Sequence, residues 1–324
     1  MKIKVGIIGA GHMGSTHGRI LARDSRVEVV GITDVRGDAA GRLAAEIGSR
    51  VYSSLDDMLE ARIHALYVTT PNTLHVPPVV HALTNGIHVF SEKPMATSLE
   101  EAAKILKAAK ASRAIYQVGF NYRFAPAHKF IKDLIEQGRL KPYHCHIKDN
   151  RGELIEPAWV SDTKITGGYL YESTIHTLDL MTWLMGNIKT MKCVARSNVY
   201  SQLDDYAILF EFANGSLGTL DSCAHASWLF PAGSVEVFGE HSTVTTDEME
   251  RVRYTTGLKQ EILEHDYFQL PTEHKWGYVE EDKLFIDAIV EGKPSVVPAE
   301  EAYRAIELIE ACSSQVREAS VVGI

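Results

Sequence analysis

Over the first 120 residues, short apolar runs alternate with stretches whose apolar positions recur every three or four residues. Val5–Gly9, Val27–Thr33, Ala65–Thr70, His88–Ser91 and Ile115–Phe120 read as strands; 12–23, 38–47, 74–85 and 98–112 read as helices. Strand–helix alternation with near-continuous apolar strands predicts a parallel sheet covered on both faces. Ser98 followed by Glu101 marks the start of the last helix as a capping box. Beyond residue 121 the pattern changes. A helix over 126–137 precedes a strand, Tyr143–Lys148, a polar irregular stretch, 152–167, and a strongly apolar helix, 168–185. Residues 188–246 then read as successive strands, among them Lys192–Val199, Ala207–Phe212, Gly218–Cys223 and Ser234–Phe238, with turn signals such as Asn214-Gly215. Helices over 278–291 and 299–317 close the chain. The expected architecture is a doubly wound α/β Rossmann domain over 1–120 followed by an α+β domain over 121–324. The second domain should carry a largely antiparallel open sheet, because consecutive strands without crossover helices pair that way. The C-terminal helix is a candidate to pack back on the first domain.

Charge narrows the partners. A net charge of −9 and a pI near 5.9 disfavour nucleic acid and anionic membranes, whose phosphates need a local excess of Lys and Arg. No apolar run approaches the roughly 18 residues that span a bilayer, and the glycine-interrupted N-terminus does not read as a signal peptide. Four scattered cysteines without a Cys-x-x-Cys pair point to reduced thiols in a cytoplasm.

Gly9-Ala10-Gly11-His12-Met13-Gly14 is a G-x-G-x-x-G motif between a strand and a helix start. Its glycines permit a tight turn, backbone approach to a pyrophosphate and close helix–strand packing, while the helix N-terminus presents N–H donors to the anion. Asp34 follows Gly14 by 20 residues, at the end of the second strand, and suits the ribose 2′-OH of an adenosine. That carboxylate would repel a 2′-phosphate, so NAD is expected over NADP. Arg36 works the other way, since it can accommodate that phosphate.

Thr69-Thr70-Pro71-Asn72-Thr73-Leu74-His75 closes one strand and Glu92-Lys93-Pro94 the next. With "VGFNYRF" at 118–124 and "GGYLYESTIHTLDLMTWLMG" at 167–186, the chain resembles the glucose–fructose oxidoreductase / inositol dehydrogenase / MocA (Gfo/Idh/MocA) family along essentially its whole length. The resemblance implies a two-domain dehydrogenase that binds a nicotinamide cofactor and acts on a sugar, polyol or similar carbonyl compound. It implies cofactor contacts from Thr70, Pro71, Asn72, His75, Glu92 and Lys93, and places Asn121, Tyr122 and Arg123 near nicotinamide and substrate. It also suggests a homodimer or homotetramer formed through the second domain's sheet.

On the helix 168–185, Glu172, His176 and Asp179 fall in one sector at about 100° per residue. Oxidising a carbinol requires a group to take the hydroxyl proton and a donor to polarise the emerging carbonyl; histidine suits the first task near neutral pH. An isolated histidine is more often a satisfied core residue, but Glu172 four residues earlier favours a working site. The resemblance assigns the proton relay to Lys93 and His176. Glu172 stands where the family commonly has Asp, so it either orients His176 or meets a substrate hydroxyl differently. Asp179 reads better as a structural ion pair than as a catalytic group. Lys148 and Asn150 share a strand face and could offer donors to polyol hydroxyls. Trp159 lies in the 152–167 loop, whose length suits substrate contact. His144 and His146 also share a strand face, but two histidines do not complete a metal site, and none is expected. Two other functions remain open: an enzyme that retains NAD and cleaves glycosidic bonds through transient oxidation, and a non-enzymatic dinucleotide sensor.

Overall fold

The computed structural model describes residues 2–150, 152, 154, 157–227 and 232–319. In chain order its elements begin with β1 (Ile3–Ile8), α1 (His12–Arg23), β2 (Val27–Thr33), α2 (Gly37–Ile47), β3 (Arg50–Val51) and α3 (Leu55–Glu60). β4 (Ala65–Val68), α4 (Val76–Thr84), β5 (His88–Glu92), α5 (Leu99–Ala111) and β6 (Tyr116–Gly119) follow. Next come α6 (Pro126–Glu136), β7 (Pro142–Asn150), α7 (Thr163–Thr166), α8 (Ile175–Met185), β8 (Ile188–Arg196), β9 (Asp205–Phe212) and β10 (Leu217–Cys223). The chain continues through β11 (Gly233–Gly239), β12 (Ser242–Asp247), β13 (Arg251–Thr255), β14 (Leu263–Asp266), α9 (Thr272–Lys275), α10 (Tyr278–Glu291) and α11 (Ala299–Ala319).

These elements form two compact units. The first takes the chain as far as Phe120 and recruits Val279–Ile306; the second takes Asn121–Tyr278 and the chain from Glu307 on. In the first unit the described strands form a parallel sheet in the order β3-β2-β1-β4-β5-β6. Its strands are apolar because helices cover both faces: Val5, Ile7, Ile32, Tyr67 and Phe90 are buried together with Phe285 and Ile286 of α10. Ser98 caps α5 as the sequence predicts, its hydroxyl accepting from the Glu101 N–H at 3.3 Å.

The second unit's sheet runs β14-β13-β12-β11-β7-β10-β9-β8. Its pairs are antiparallel except β7 with β10, which run parallel. A parallel pair needs a long crossover, and the chain between β7 and β10 contains α8. Along β7, Cys145, Ile147 and Asp149 are buried while His144, His146, Lys148 and Asn150 are only half-buried, so one sheet face is covered and the other open.

The structure departs from the sequence reading in several elements, the short helix α9 among them. β3 and α3 were not anticipated, since two exposed strand residues and a six-residue helix give too short a period to register. β13 and β14 extend the sheet past residue 246; their charged alternation, Arg251 and Arg253 about Val252, carries only a weak apolar signal. The helix expected over 168–185 begins as a π-helical turn, Leu170–Thr174, and becomes α-helical only at Ile175. The irregular stretch 152–167 contains a 3-10 turn, Ala158–Ser161, and α7; residues 153, 155 and 156 of that stretch lie outside the described residues.

Candidate active site

The glycine motif closes the turn from β1 to α1, and each glycine has its own reason. Gly9 adopts φ of 97°, and a Cβ there would lie 2.6 Å from the Thr69 carbonyl oxygen. A Cβ on Gly14 would stand 1.9 Å from the Gly9 carbonyl oxygen, so α1 can approach the strand only without a side chain. At Gly11 the nearest atom to such a Cβ is the Arg36 guanidinium at 4.0 Å. The space kept clear by Gly11 opens to a cleft of about 440 Å³ lined by His12, Ser15 and Arg36 among others. Asp34 sits over this turn. Its Oδ2 accepts from the Ala10 N–H at 2.6 Å and its Oδ1 from the Arg36 N–H at 2.7 Å, with Arg36 Nε at 3.6 Å. An open backbone approach, an uncapped helix start and a fixed carboxylate are what a dinucleotide requires, so these residues fit NAD.

Two buried histidines hold the turn that carries Lys93. His17, on the covered face of α1, sets Nε2 3.0 Å from Glu92 Oε1 and Nδ1 2.8 Å from Asp282 Oδ1 of α10. Glu92 Oε2 in turn accepts from the Lys93 backbone N–H at 3.1 Å. Opposite Glu92 in the sheet stands Gly119, where a Cβ would come within 3.4 Å of that same oxygen. Burial works against charge on His17, yet the two carboxylates outweigh it and raise its pKa well above the usual imidazole value. Burial raises Glu92 too, but the His17 hydrogen bond and charge bring it to a net value below normal. Asp282 is raised, chiefly by burial. The second histidine, His75, is fully buried; Nδ1 lies 2.7 Å from the Pro94 carbonyl and Nε2 2.7 Å from the Thr70 carbonyl. Burial lowers its pKa although both carbonyls favour the charged form. His75 thereby ties the loop after β4, with Thr70, Pro71 and buried Asn72, to the loop after β5. The Lys93–Pro94 peptide is cis, and Lys93 itself is half-buried.

In the second unit, Glu172 lies on the π turn and His176 on the first turn of α8. The Tyr122 ring stacks on the His176 imidazole with centroids 4.4 Å apart and planes at 15°. Tyr122 is itself held, its carbonyl accepting from His128 Nδ1 at 2.8 Å. Arg123, expected among the substrate contacts, is buried and grips Asp179 through Nε to Oδ2 at 2.7 Å and Nη2 to Oδ1 at 2.5 Å. Asp179 is accordingly a structural ion-pair partner, as its sequence position suggested. Asn121 donates to the Trp276 carbonyl at 2.9 Å.

Lys148 and Asn150 share a strand face, but it is the open one; the covered face, where Ser222 meets Thr174 beside α8 at 2.9 Å, carries Asp149 instead. The alternation of β7 points both side chains to the face opposite Asp149, and Lys148 also borders the small cavity that Tyr122 and Thr177 line. His144 and His146 share that open face, and His146 Nδ1 meets the Thr219 hydroxyl at 2.8 Å. Trp159 is exposed on its 3-10 turn.

Three residues escaped the sequence reading. His17 and Asp282 belong to buried helix faces, and a titratable residue in the stripe Gly14, His17, Gly18, Leu21 was a usable signal. Asp149, a carboxylate in the apolar phase of Cys145 and Ile147, was another. It lines a small cavity of about 20 Å³ with Tyr122, His128 and Thr177.

Comparison with known proteins fits this geometry. Residues 3–120 match the Gfo/Idh/MocA oxidoreductase family's NAD-binding Rossmann fold, and residues 132–324 match its C-terminal alpha/beta domain. The chain belongs to the Gfo/Idh/MocA oxidoreductase family. It is 24% identical over 327 residues to myo-inositol 2-dehydrogenase of Thermotoga maritima, covering 98% of this chain and 97% of that one. It is 28% identical over 259 residues to 2,7-anhydro-N-acetylneuraminate hydratase of Escherichia coli, covering 76% and 68%. The fold superposes on levoglucosan dehydrogenase in complex with NADH and L-sorbose with a TM-score of 0.90 at 21% identity, covering 98% of each chain. As a family member the protein is an oxidoreductase, and its first unit is an NAD-binding Rossmann domain.

Proposed function

We propose that the protein transfers hydride between NAD and a hydroxyl or carbonyl of a sugar or cyclic polyol, with Lys93 and His176 as the proton relay. The observation that carries this reading is the Glu92–Lys93–Pro94 turn. It presents a half-buried ammonium at the carboxyl end of a parallel strand, where open α/β sheets bind their ligands, and buried His17 and His75 hold it from two sides. Gly9, Gly11, His12, Met13 and Gly14 would hold the pyrophosphate, and Asp34 the adenosine ribose, with Arg36 flanking it. Thr70, Pro71 and Asn72 would border the nucleotide, His75 and Glu92 fixing the loops around them. When bound there, NAD supplies the hydride acceptor. His176 takes the proton of the substrate hydroxyl, while Lys93 Nζ–H donates to the same oxygen as it becomes a carbonyl. Glu172 and the stacked Tyr122 fix the imidazole, and Trp159 is available to a sugar ring.

The hydratase activity named for the Escherichia coli relative favours a second reading, in which NAD stays bound and the hydride returns to substrate within each turnover. A panel of inositols, aldoses and sugar acids with NAD, and NADP in parallel, separates the two. The first reading expects stoichiometric NADH from at least one compound; the second expects product without net NADH. Neither product nor NADH across the panel would contradict both.

We further infer that the chain self-associates as a homodimer or homotetramer. Val194, Leu209, Leu217 and Phe238 all expose apolar side chains on the open sheet face, which a second copy would cover. Leu217→Asp should then shift the sedimentation coefficient to that of a monomer. A cytoplasmic location is proposed because all four cysteines are free and buried. Among the described residues, no helix is long and apolar enough to cross a membrane.

A further inference from the structure

Away from the site above, one end of the open sheet gathers three side chains of different chemistry. Asp205 opens β9 and Cys223 closes β10, and the antiparallel register sets them directly opposite each other, so their side chains leave the sheet on one face. His225 follows two residues on. One ligand atom from each of the three lies within 4.8 Å of the other two. His225 Nε2 is 3.6 Å from Asp205 Oδ2, the spacing of two ligands about a tetrahedral ion with bonds of about 2.0–2.2 Å.

The surroundings prepare the sulfur and orient its neighbours. Backbone N–H groups of His225 and Ala226 point at the Cys223 sulfur, donors of the kind that surround a metal-bound sulfur and fix its direction. Asn198 Nδ2 donates to Asp205 Oδ2 at 2.8 Å, which holds the carboxylate in place beside the imidazole.

We propose that Asp205, Cys223 and His225 form a binding site for a divalent transition-metal ion, zinc by preference. A thiolate, an imidazole and a carboxylate make a borderline-soft donor set. That set suits zinc or cobalt, whereas magnesium and calcium take oxygen ligands. The fourth position is left to water. Binding replaces the sulfur–hydrogen bond of Cys223 with a sulfur–metal bond, and the displaced proton passes to solvent. The ion fastens β9 and β10 to the segment that follows β10.

The test is a titration of the reduced, chelator-treated full-length protein with cobalt(II), followed by competition with zinc(II). The expected result is one ion per chain with a thiolate-to-cobalt charge-transfer band, abolished by zinc and absent in Cys223→Ser. His225→Gln removes an exposed ligand without disturbing the core and should weaken cobalt binding measurably. Asn198→Ala should weaken it by about 10- to 100-fold, as loss of an orienting partner does. Absence of the band in the wild-type protein, its persistence in Cys223→Ser, or wild-type affinity in His225→Gln would each overturn the proposal.

Discussion

Both units support their proposed reactive side chain with a buried charge, but of different kinds. Beneath Lys93 the charge is an imidazole: His17 is shared between Glu92 and Asp282 and held protonated by them. On the helix that bears His176 it is a guanidinium: Arg123 binds Asp179, three residues further on, through two parallel hydrogen bonds. A guanidinium stays charged at any working pH, whereas an imidazole is charged only while its carboxylates keep it so. The first brace can therefore be released by pH, and the second cannot be released by losing its cation's proton.

The largest effect expected is on stability. His17→Ala leaves Glu92 and Asp282 buried without their cation and should cost about 3–5 kcal/mol in urea unfolding, the usual result of removing one partner of a buried pair. Arg123→Ala removes the guanidinium from one buried carboxylate, Asp179, and belongs at the lower end of that range. The two losses should differ in how they respond to pH. His17 has a raised folded pKa, so its contribution is complete below its unfolded value of roughly 6.5 and is lost as pH rises through the folded value. Glu92 has a lowered one, so its contribution is complete above roughly 4.3 and is lost as pH falls through the folded value. Asp282, raised by burial, costs stability from the acid side: its penalty sets in as pH rises above roughly 3.9 and is complete above its folded value. Unfolding free energies across pH should show the alkaline decline in wild-type and Arg123→Ala protein and a flatter profile in His17→Ala. A parallel decline in all three would erase the distinction between the braces.

Smaller effects sharpen the comparison on the binding side. Asp34→Ala should relax discrimination against NADP by about tenfold, roughly 1.4 kcal/mol, read as the ratio of Kd values for the two cofactors. Tyr122→Leu removes the stacked partner of His176, worth about 0.5–1.5 kcal/mol for a ring pair. It should lower kcat by about 2- to 10-fold with little change in NAD affinity.

What the sequence disclosed follows the range of the interactions. The glycine turn, Asp34 and the Ser98 cap of α5 are local, with a period or spacing set by one strand and one helix, and they stand where expected. Glu172 and His176 were read as one polar stripe at regular α-helical spacing, and the π turn that carries Glu172 interrupts that spacing. The turn was not legible, because it leaves the apolar spacing of the rest of the helix intact. The brace of Lys93 joins residues 75 and 265 positions apart, so only the sheet order brings them together. Lys148 and Asn150 show the opposite case. Period-two alternation put them on one face, but which face was covered depended on where α8 crosses between β7 and β10. The cluster of Asp205, Cys223 and His225 likewise exists only through the register of β9 with β10.

The central claim is the proposal that Lys93 and His176 act together on one substrate oxygen. Steady-state turnover of Lys93→Ala, His176→Ala and the double variant tests it most directly, with NAD affinity measured alongside by fluorescence. Each single substitution should lower kcat by about 10²- to 10⁴-fold while NAD still binds, and the double variant should be little worse than either, as residues working as a unit behave. Near-normal turnover in either single variant, or fully multiplicative losses in the double, would contradict the account.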